Sequence, residues 1–210
     1  ILPGKFNSKY NVIQDLSKLN LSLRDYQQET VRKCIEYGRG VIILATGGGK
    51  TLIIATLIDT LHHHKSFKKA LVLVPNLGLV EQTFNDFKEY GVNFSTSKWT
   101  GSHELNLNAD VIIANLGILQ SKKTDLSFLE SIDLLIVDEV HVTRKGNQIN
   151  KIIEDIKTNH KYGFTGTLPE NPLDQWNIIG KVGPIIIEKS SYELRQREVI
   201  TNATALVLEI

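Results

Sequence analysis

A chain of 210 residues, 41% of them hydrophobic, can bury a sizeable core and reads as one large α/β domain better than as two small ones. Its 24 Lys+Arg stand against 23 Asp+Glu, so a partner bound through its phosphates does not follow from bulk charge and needs a local basic surface. A single cysteine excludes a disulfide framework, and no apolar run approaches the ~20 residues that span a bilayer, so the expectation is a soluble cytoplasmic protein with no membrane partner.

Residues 1–22 mix Pro3, Gly4, Asn and Ser with a short apolar rhythm at Val12, Ile13, Leu16 and Leu19, which predicts an N-terminal extension with a turn or two of helix. Leu23-Arg24-Asp25-Tyr26-Gln27 opens a helix to about Tyr37, with Cys34 beside Val31 and Ile35 on its buried face. Gln27 carries the amide donor and acceptor that could read an adenine edge, although composition alone makes it a surface residue of that helix. Gly38 to Gly40 then turn the chain into an apolar strand over 41–44.

That strand breaks into Thr46-Gly47-Gly48-Gly49-Lys50-Thr51 and then into a helix running to about His63. Strand, glycine loop and helix in this order suit a polyphosphate, because glycines let backbone N–H groups crowd an anion and the helix presents its positive end to it. Lys50 is placed to reach β- and γ-phosphates and the Thr51 hydroxyl to ligate Mg²⁺. Leu44 stands where the usual phosphate-loop pattern has its first glycine. A glycine-rich hairpin with an incidental lysine is the competing reading, and the change from buried strand to helix opposes it.

His62-His63-His64 lie at a helix C-terminus, where cations are ordinary and adjacent side chains diverge, so they do not read as a metal site. A buried strand over 70–74 leads through Pro75 and Asn76 into an amphipathic helix to Tyr90. A short strand is expected over 92–96, then Trp99-Thr100-Gly101 and a polar loop to Asp110, then a strand over 111–114 that turns away from Asn115 to Gln120. Lys122, Lys123 and Asp125 read as solvated surface.

The most apolar strand, 134–137, ends in Asp138-Glu139-Val140-His141. Adjacent carboxylates at the end of a buried strand are not explained by packing, since such charges are paired, hydrated or on a metal. A helix over 149–156 and a strand over 162–164 follow, ending in Thr165-Gly166-Thr167-Leu168-Pro169. The chain continues with a helix over 172–179, a strand over 185–187, a short helix over 192–197 and an extended segment at 205–210. Alternating strands and helices predict a mostly parallel sheet with helices on both faces and ligands at the strands' carboxyl ends. Three polar clusters, Gly47 to Thr51, Asp138 to His141 and Thr165 to Thr167, then share one edge around a Mg-nucleotide.

The order Leu-Arg-Asp-Tyr-Gln, Thr-Gly-Gly-Gly-Lys-Thr, Val-Pro-Asn-x-x-Leu-Val-x-Gln, Asp-Glu-Val-His and Thr-Gly-Thr-Leu resembles the first motor lobe of superfamily-two DExH helicases. It is most similar to phage branch-migration DNA helicases of the UvsW type and next to the motor subunits of restriction enzymes. The resemblance implies a RecA-like P-loop NTPase lobe over 23–190, a linker over 191–210 toward a second lobe outside the chain, and ATP with Mg²⁺ as cofactors. It implies that Gln27 reads adenine with Arg24 near the base, and that Thr46, Gly47, Gly48, Gly49, Lys50 and Thr51 hold phosphates and Mg²⁺. Asp138 is the implied metal ligand and Glu139 the catalytic carboxylate, completing a catalytic set with Lys50 and His141. His141 and Thr165-Gly166-Thr167 couple the nucleotide to nucleic-acid movement, and Pro75, Asn76, Thr100, Gly101 and Asn115 grip one sugar-phosphate backbone.

Leu44, Gly166 in place of the commoner alanine and Asn115 in place of threonine depart from the family pattern. The partner implied is single-stranded or branched DNA in recombination or repair. RNA is the alternative because backbone contacts do not separate the two, and a non-catalytic nucleotide switch is a further one. Without the second lobe's arginine fingers, these residues alone are expected to be nearly inactive.

Overall fold

The computed structural model describes residues 15–16, 21–120, 126–142 and 148–196. A short antiparallel ladder, β1 (Asp15–Leu16) with β2 (Leu21–Ser22), precedes α1 (Asp25–Tyr37). Then come β3 (Arg39–Leu44), α2 (Lys50–His63), β4 (Ala70–Val74), α3 (Leu77–Tyr90), β5 (Thr96–Trp99) and β6 (Val111–Asn115). After α4 (Leu116–Leu119) follow β7 (Leu134–Val137), α5 (Gln148–Asp155), β8 (His160–Thr165), α6 (Pro172–Val182), β9 (Ile185–Lys189) and α7 (Ser191–Gln196).

Seven of the strands form one sheet in the order β5-β6-β4-β7-β8-β3-β9, and every neighbouring pair is parallel. Parallel strands need a crossover between them, so helices cover both faces and the strands are apolar on both sides. The period of two divides the core accordingly. Ile42, Leu44, Val72, Val74, Ile113 and Ile136 face α1 and α2, packing with Val31, Cys34, Ile53 and Leu57. Val41, Ile43, Leu71, Leu73, Leu135 and Val137 face the other way, onto Ile152, Ile153, Ile178 and Val182. Cys34 lies in the first of these layers, where burial pushes its thiol pKa up.

Two expectations are corrected. At residues 15–16 the chain is a strand of the small ladder, and the remainder of 1–20 lies outside the described residues. The strand expected over 92–96 begins only at Thr96, because the preceding residues close α3 instead. Gly91 takes a left-handed cap at φ 66°, the Val92 N–H donates to the Phe87 carbonyl, and Phe94 packs edge-on to Phe87 at 5.7 Å between centroids. Strands β3 and β8 are longer than expected because Arg39 and Lys161 already pair in register. A 3₁₀ turn at Ser127–Ser131, which no periodicity announces, buries Phe128 and Leu129. Lys122, Lys123, Asp125 and the segment 205–210 lie outside the described residues.

Candidate functional site

The strand order decides the site. Strands β3, β8 and β7 are adjacent, so the loop after Leu44, the turn after Val137 and the turn after Thr165 leave neighbouring points of one edge. Gly47 at φ 81° and Gly49 at φ 74° adopt the left-handed backbone that only glycine takes without strain. Gly48 is required for a different reason. A Cβ there would lie 2.8 Å from Leu44 Cδ2 and 2.9 Å from the Ala45 carbonyl oxygen. The buried Leu44 side chain therefore fills space beneath the loop, which reconciles its bulk with a phosphate-loop shape. The 14-residue α2 begins at Lys50 and aims its N-terminal N–H groups and dipole at the loop.

The start of α1 closes the loop from one side. Gln27 is 4% exposed, so the surface reading of that residue is corrected. Its Nε2 donates to the Gly48 carbonyl at 3.4 Å, and its Oε1 accepts from the Arg24 backbone N–H at 2.9 Å. One amide donor and one acceptor lone pair remain for a ligand edge. Arg24 itself is exposed at the helix N-cap. Tyr26, which sequence reasoning passed over, donates its hydroxyl to the same Gly48 carbonyl at 2.9 Å. Its position next to Gln27 in the Leu-Arg-Asp-Tyr-Gln run was the available signal.

At the end of β7, Lys50 Nζ and Glu139 Oε1 are 2.5 Å apart in a partly buried ion pair. Glu139 holds a left-handed backbone at φ 52°, costly for a non-glycine residue and kept by its surroundings. Asp138 accepts the Glu139 N–H at 3.0 Å. Burial raises the Asp138 carboxyl above its ordinary pKa, with the Lys50 ammonium pulling it down and the Glu139 carboxylate pushing it up.

His141 Nδ1 lies 2.8 Å from Thr165 Oγ1 and 3.2 Å from Glu139 Oε2. Thr165 already donates its hydroxyl hydrogen to the Thr167 carbonyl at 2.6 Å, so the network assigns the His141 proton to Nδ1. A Cβ on Gly166 would meet Thr46 Oγ1 at 3.7 Å and Lys50 Nζ at 4.0 Å, ordinary contacts, so alanine and glycine fit equally there. A chain of contacts thus runs from Lys50 through Glu139 and His141 to Thr165 and Thr167. Thr51 is partly buried in the first turn of α2.

The other half of the edge carries the remaining candidates at the ends of β4, β6 and β5. Pro75 is partly buried, and Asn76 caps α3 by accepting the Leu79 N–H at 3.0 Å. Thr100 is buried and bonds His103 Nδ1 at 2.9 Å, beside an exposed Gly101 with open space around it. Asn115 has a side-chain carbonyl oxygen that is buried without a hydrogen-bond partner. Among the described residues, no group of three His, Cys, Asp or Glu gathers as a metal cluster, and His62 instead lies 3.8 Å from Asp110. Among the same residues, no helix is long and apolar enough to cross a membrane.

The family model described as type III restriction enzyme, res subunit, matches residues 20–170. The chain belongs to that family, and with it to the superfamily-two helicases. Curated relatives are similar over most of this lobe. A DNA 3'-5' translocase XPB2 from Sulfurisphaera tokodaii is 28% identical over 190 residues, spanning 88% of this chain and 40% of the relative. An ATP-dependent RNA helicase DBP10 from Saccharomyces cerevisiae is 30% identical over 198 residues, 82% of this chain and 20% of the relative. The chain therefore spans well under half the length of either. The crystal structure of the UvsW helicase from bacteriophage T4 superposes with a TM-score of 0.67 at 20% identity, over 88% of this chain and 70% of that one, which establishes the shared RecA-like fold. Nucleotide use follows from membership of this family of ATP-dependent motors.

Proposed function

We propose that residues 23–190 are the ATP-binding lobe of an ATP-dependent DNA translocase or helicase that acts together with a second lobe. The observation that carries this is the continuous set of contacts joining Lys50, Glu139, His141 and Thr165 at three adjacent strand ends.

The residues present suit a Mg-nucleotide. Gly47 and Gly49 hold the left-handed backbone that shapes the loop, a Cβ on Gly49 would lie 2.5 Å from Gln27 Nε2, and the Thr51 hydroxyl and Asp138 carboxylate are hard oxygen donors of the kind Mg²⁺ takes alongside phosphate and water. When bound, the metal neutralises charge on the β- and γ-phosphates. With a nucleotide in place, Lys50 would turn from Glu139 to those phosphates, and Glu139, freed of the ion pair, would orient the attacking water. His141 contacts both Glu139 and Thr165, so its ring senses the exchange and passes it to the Thr165-Gly166-Thr167 turn. Gln27 offers its free amide donor and acceptor to the adenine edge, near Arg24. Retention of Lys50, Asp138 and Glu139 together favours catalysis over a non-catalytic switch, because a switch has no need of the glutamate.

DNA, single-stranded or branched, is the proposed track, gripped through its backbone by Pro75, Asn76, Thr100, Gly101 and Asn115, with weak affinity that falls steeply with salt. The archaeal relative's name as a DNA translocase, the restriction-enzyme family and the branch-migration resemblance support it. The yeast relative's name as an RNA helicase supports RNA as the second reading. ATPase assays of the complete natural protein with single-stranded DNA, branched DNA and RNA decide between them. Stimulation by branched DNA above single strands is expected, and stimulation by RNA alone refutes the DNA reading. The same assay on residues 1–210 is expected to show very slow turnover, because arginine fingers, here proposed to come from a second lobe, contribute on the order of 10³ to 10⁵ in rate in other phosphate-loop enzymes.

A further inference from the structure

The opposite, amino edge of the sheet holds a cleft of about 510 Å³ that the motor chemistry does not use. Arg39 begins β3, Lys161 pairs with it in register at the start of β8, and Lys157 and Lys181 add two further cations to a lining with one carboxylate, Glu154. At about 3.3 Å per strand residue, the six residues of β3 put this cleft ~20 Å from the phosphate loop.

Its charge is out of proportion to the molecule. The whole chain carries +1, yet this one recess gathers four cationic side chains against a single acid. Two of the lysines are buried, Lys161 at 4% and Lys181 at 7% exposure, where lysine is seldom left without an ionic partner. Lys161 donates to the Ile153 carbonyl at 2.6 Å, and Lys181 has only the half-exposed Glu154 carboxylate, 3.9 Å away and beyond hydrogen-bonding distance. Burial, with the neighbouring Arg39 and Lys157 charges, pushes the Lys161 pKa down to about 8. Lys181 is lowered too, first by burial and against the pull of Glu154. An anion here would relieve both.

The kind of anion follows from the donors. One edge of the Arg39 guanidinium, the group best matched to a carboxylate, is already committed, donating from Nε to the Val182 carbonyl at 2.9 Å and from Nη2 to the Lys181 carbonyl at 2.8 Å. What remains is three Arg39 N–H donors beside the ammonium groups of Lys157, Lys161 and Lys181, a donor set spread over four side chains that suits the several oxygens of a phosphate. No aromatic ring lines the cleft to stack a base. A second recess of about 380 Å³ shares Lys157 and adds Lys65 and Lys68, together with the carboxylate of Asp133 and the rings of Phe67 and His160 in its wall, giving room for more than one phosphate. We propose that this cleft, walled by the starts of β3 and β8 and the ends of α5 and α6, is a second anion site that takes linked or terminal phosphate groups.

Isothermal titration of the 210-residue chain with tripolyphosphate tests it. Two binding events are expected in the wild type, and one in Lys50→Ala, which silences the phosphate loop. In that background, Lys157→Gln with Lys181→Gln should weaken the remaining event at least tenfold. Lys157 is exposed, so Lys157→Gln alone tests the site without risk to folding and should weaken it severalfold. At pH 8, binding should take up protons as Lys161 regains its charge, seen as heat that varies with the buffer, and Lys161→Met should remove that uptake. Competition by a 5′-phosphorylated but not a 5′-hydroxyl oligonucleotide supports a nucleic-acid end as the source, and competition by neither supports a free oligophosphate. Absence of any binding to Lys50→Ala, or binding unchanged by the lysine substitutions, overturns the proposal.

Discussion

The two halves of the sheet's carboxyl edge are built differently. On the β3-β8-β7 half the candidate side chains touch across strands, with Lys50 on Glu139, Glu139 beside His141, His141 on Thr165 and Gln27 on the phosphate loop. On the β4-β6-β5 half the hydrogen bonds of Asn76 and Thr100 stay within their own turns. A transferring phosphoryl group is small and highly charged, and stabilising it demands donors fixed by their neighbours. A backbone gripped without sequence preference is extended, and separate contacts along it suffice. Substitutions should therefore spread through a network in the first half and stay local in the second.

The largest expected effect is that of Lys50→Ala, which should abolish productive Mg-nucleotide binding and turnover in the complete protein. It also leaves Glu139 without its cation, so both nucleotide affinity and thermal stability should change. Loss of turnover with nucleotide affinity intact would break the network picture. Glu139→Gln should keep nucleotide binding while turnover falls by ~10² to 10⁴, the usual contribution of a positioned base. Fluorescent-nucleotide titration beside steady-state ATPase separates the two, and wild-type turnover would remove Glu139 from its proposed role.

In the second half the effects should be smaller and opposite in sign for stability. Asn76→Ala deletes the α3 cap and should cost ~0.5–2 kcal/mol in urea unfolding. Asn115→Ala removes a buried oxygen with no partner and should leave stability level or raised, because such groups cost about 1–3 kcal/mol. Both should weaken single-strand binding in a salt-dependent anisotropy titration. If Asn115→Ala alters ATPase without altering nucleic-acid affinity, the division between the halves is wrong.

The smallest effect concerns Asp138. Its folded pKa is raised by burial, so the native state binds the proton more tightly than the unfolded one, and this group lowers stability as pH rises through that window. Asp138→Asn, which can still accept the Glu139 N–H, should raise Tm at pH 7, and the gain should shrink as pH falls into the carboxylate range. A gain that grows on acidification would mean that Lys50, and not burial, dominates its environment.

Much of the nucleotide half was legible because its signals are local. A β-branched run, three glycines and a Lys-Thr at a helix start describe a phosphate loop within eleven residues, and Asp138-Glu139 at the end of a buried strand is conspicuous without neighbours. The contact of Tyr26 with the loop and the burial of Gln27 were not legible beyond their place in one short run, since both depend on α1 packing against a loop more than twenty residues away. The β5 boundary was misplaced because Val92 and Phe94 carry the same apolar pattern whether they pair in a sheet or close a helix.

By itself the sequence determined most of the strands and helices of the sheet and which polar clusters stand at strand ends, because hydrophobic period and glycine chemistry act over a few residues. The order of the strands was decided only in the tertiary structure. Strands β3, β4 and β7 are similar apolar runs that could pair with one another in several ways, and long-range crossover connections and helix packing select the arrangement that puts the more polar β8 between β3 and β7. That arrangement alone brings Lys50 to Glu139 across 89 residues of chain, and it brings Arg39 and Lys161 together at the opposite edge.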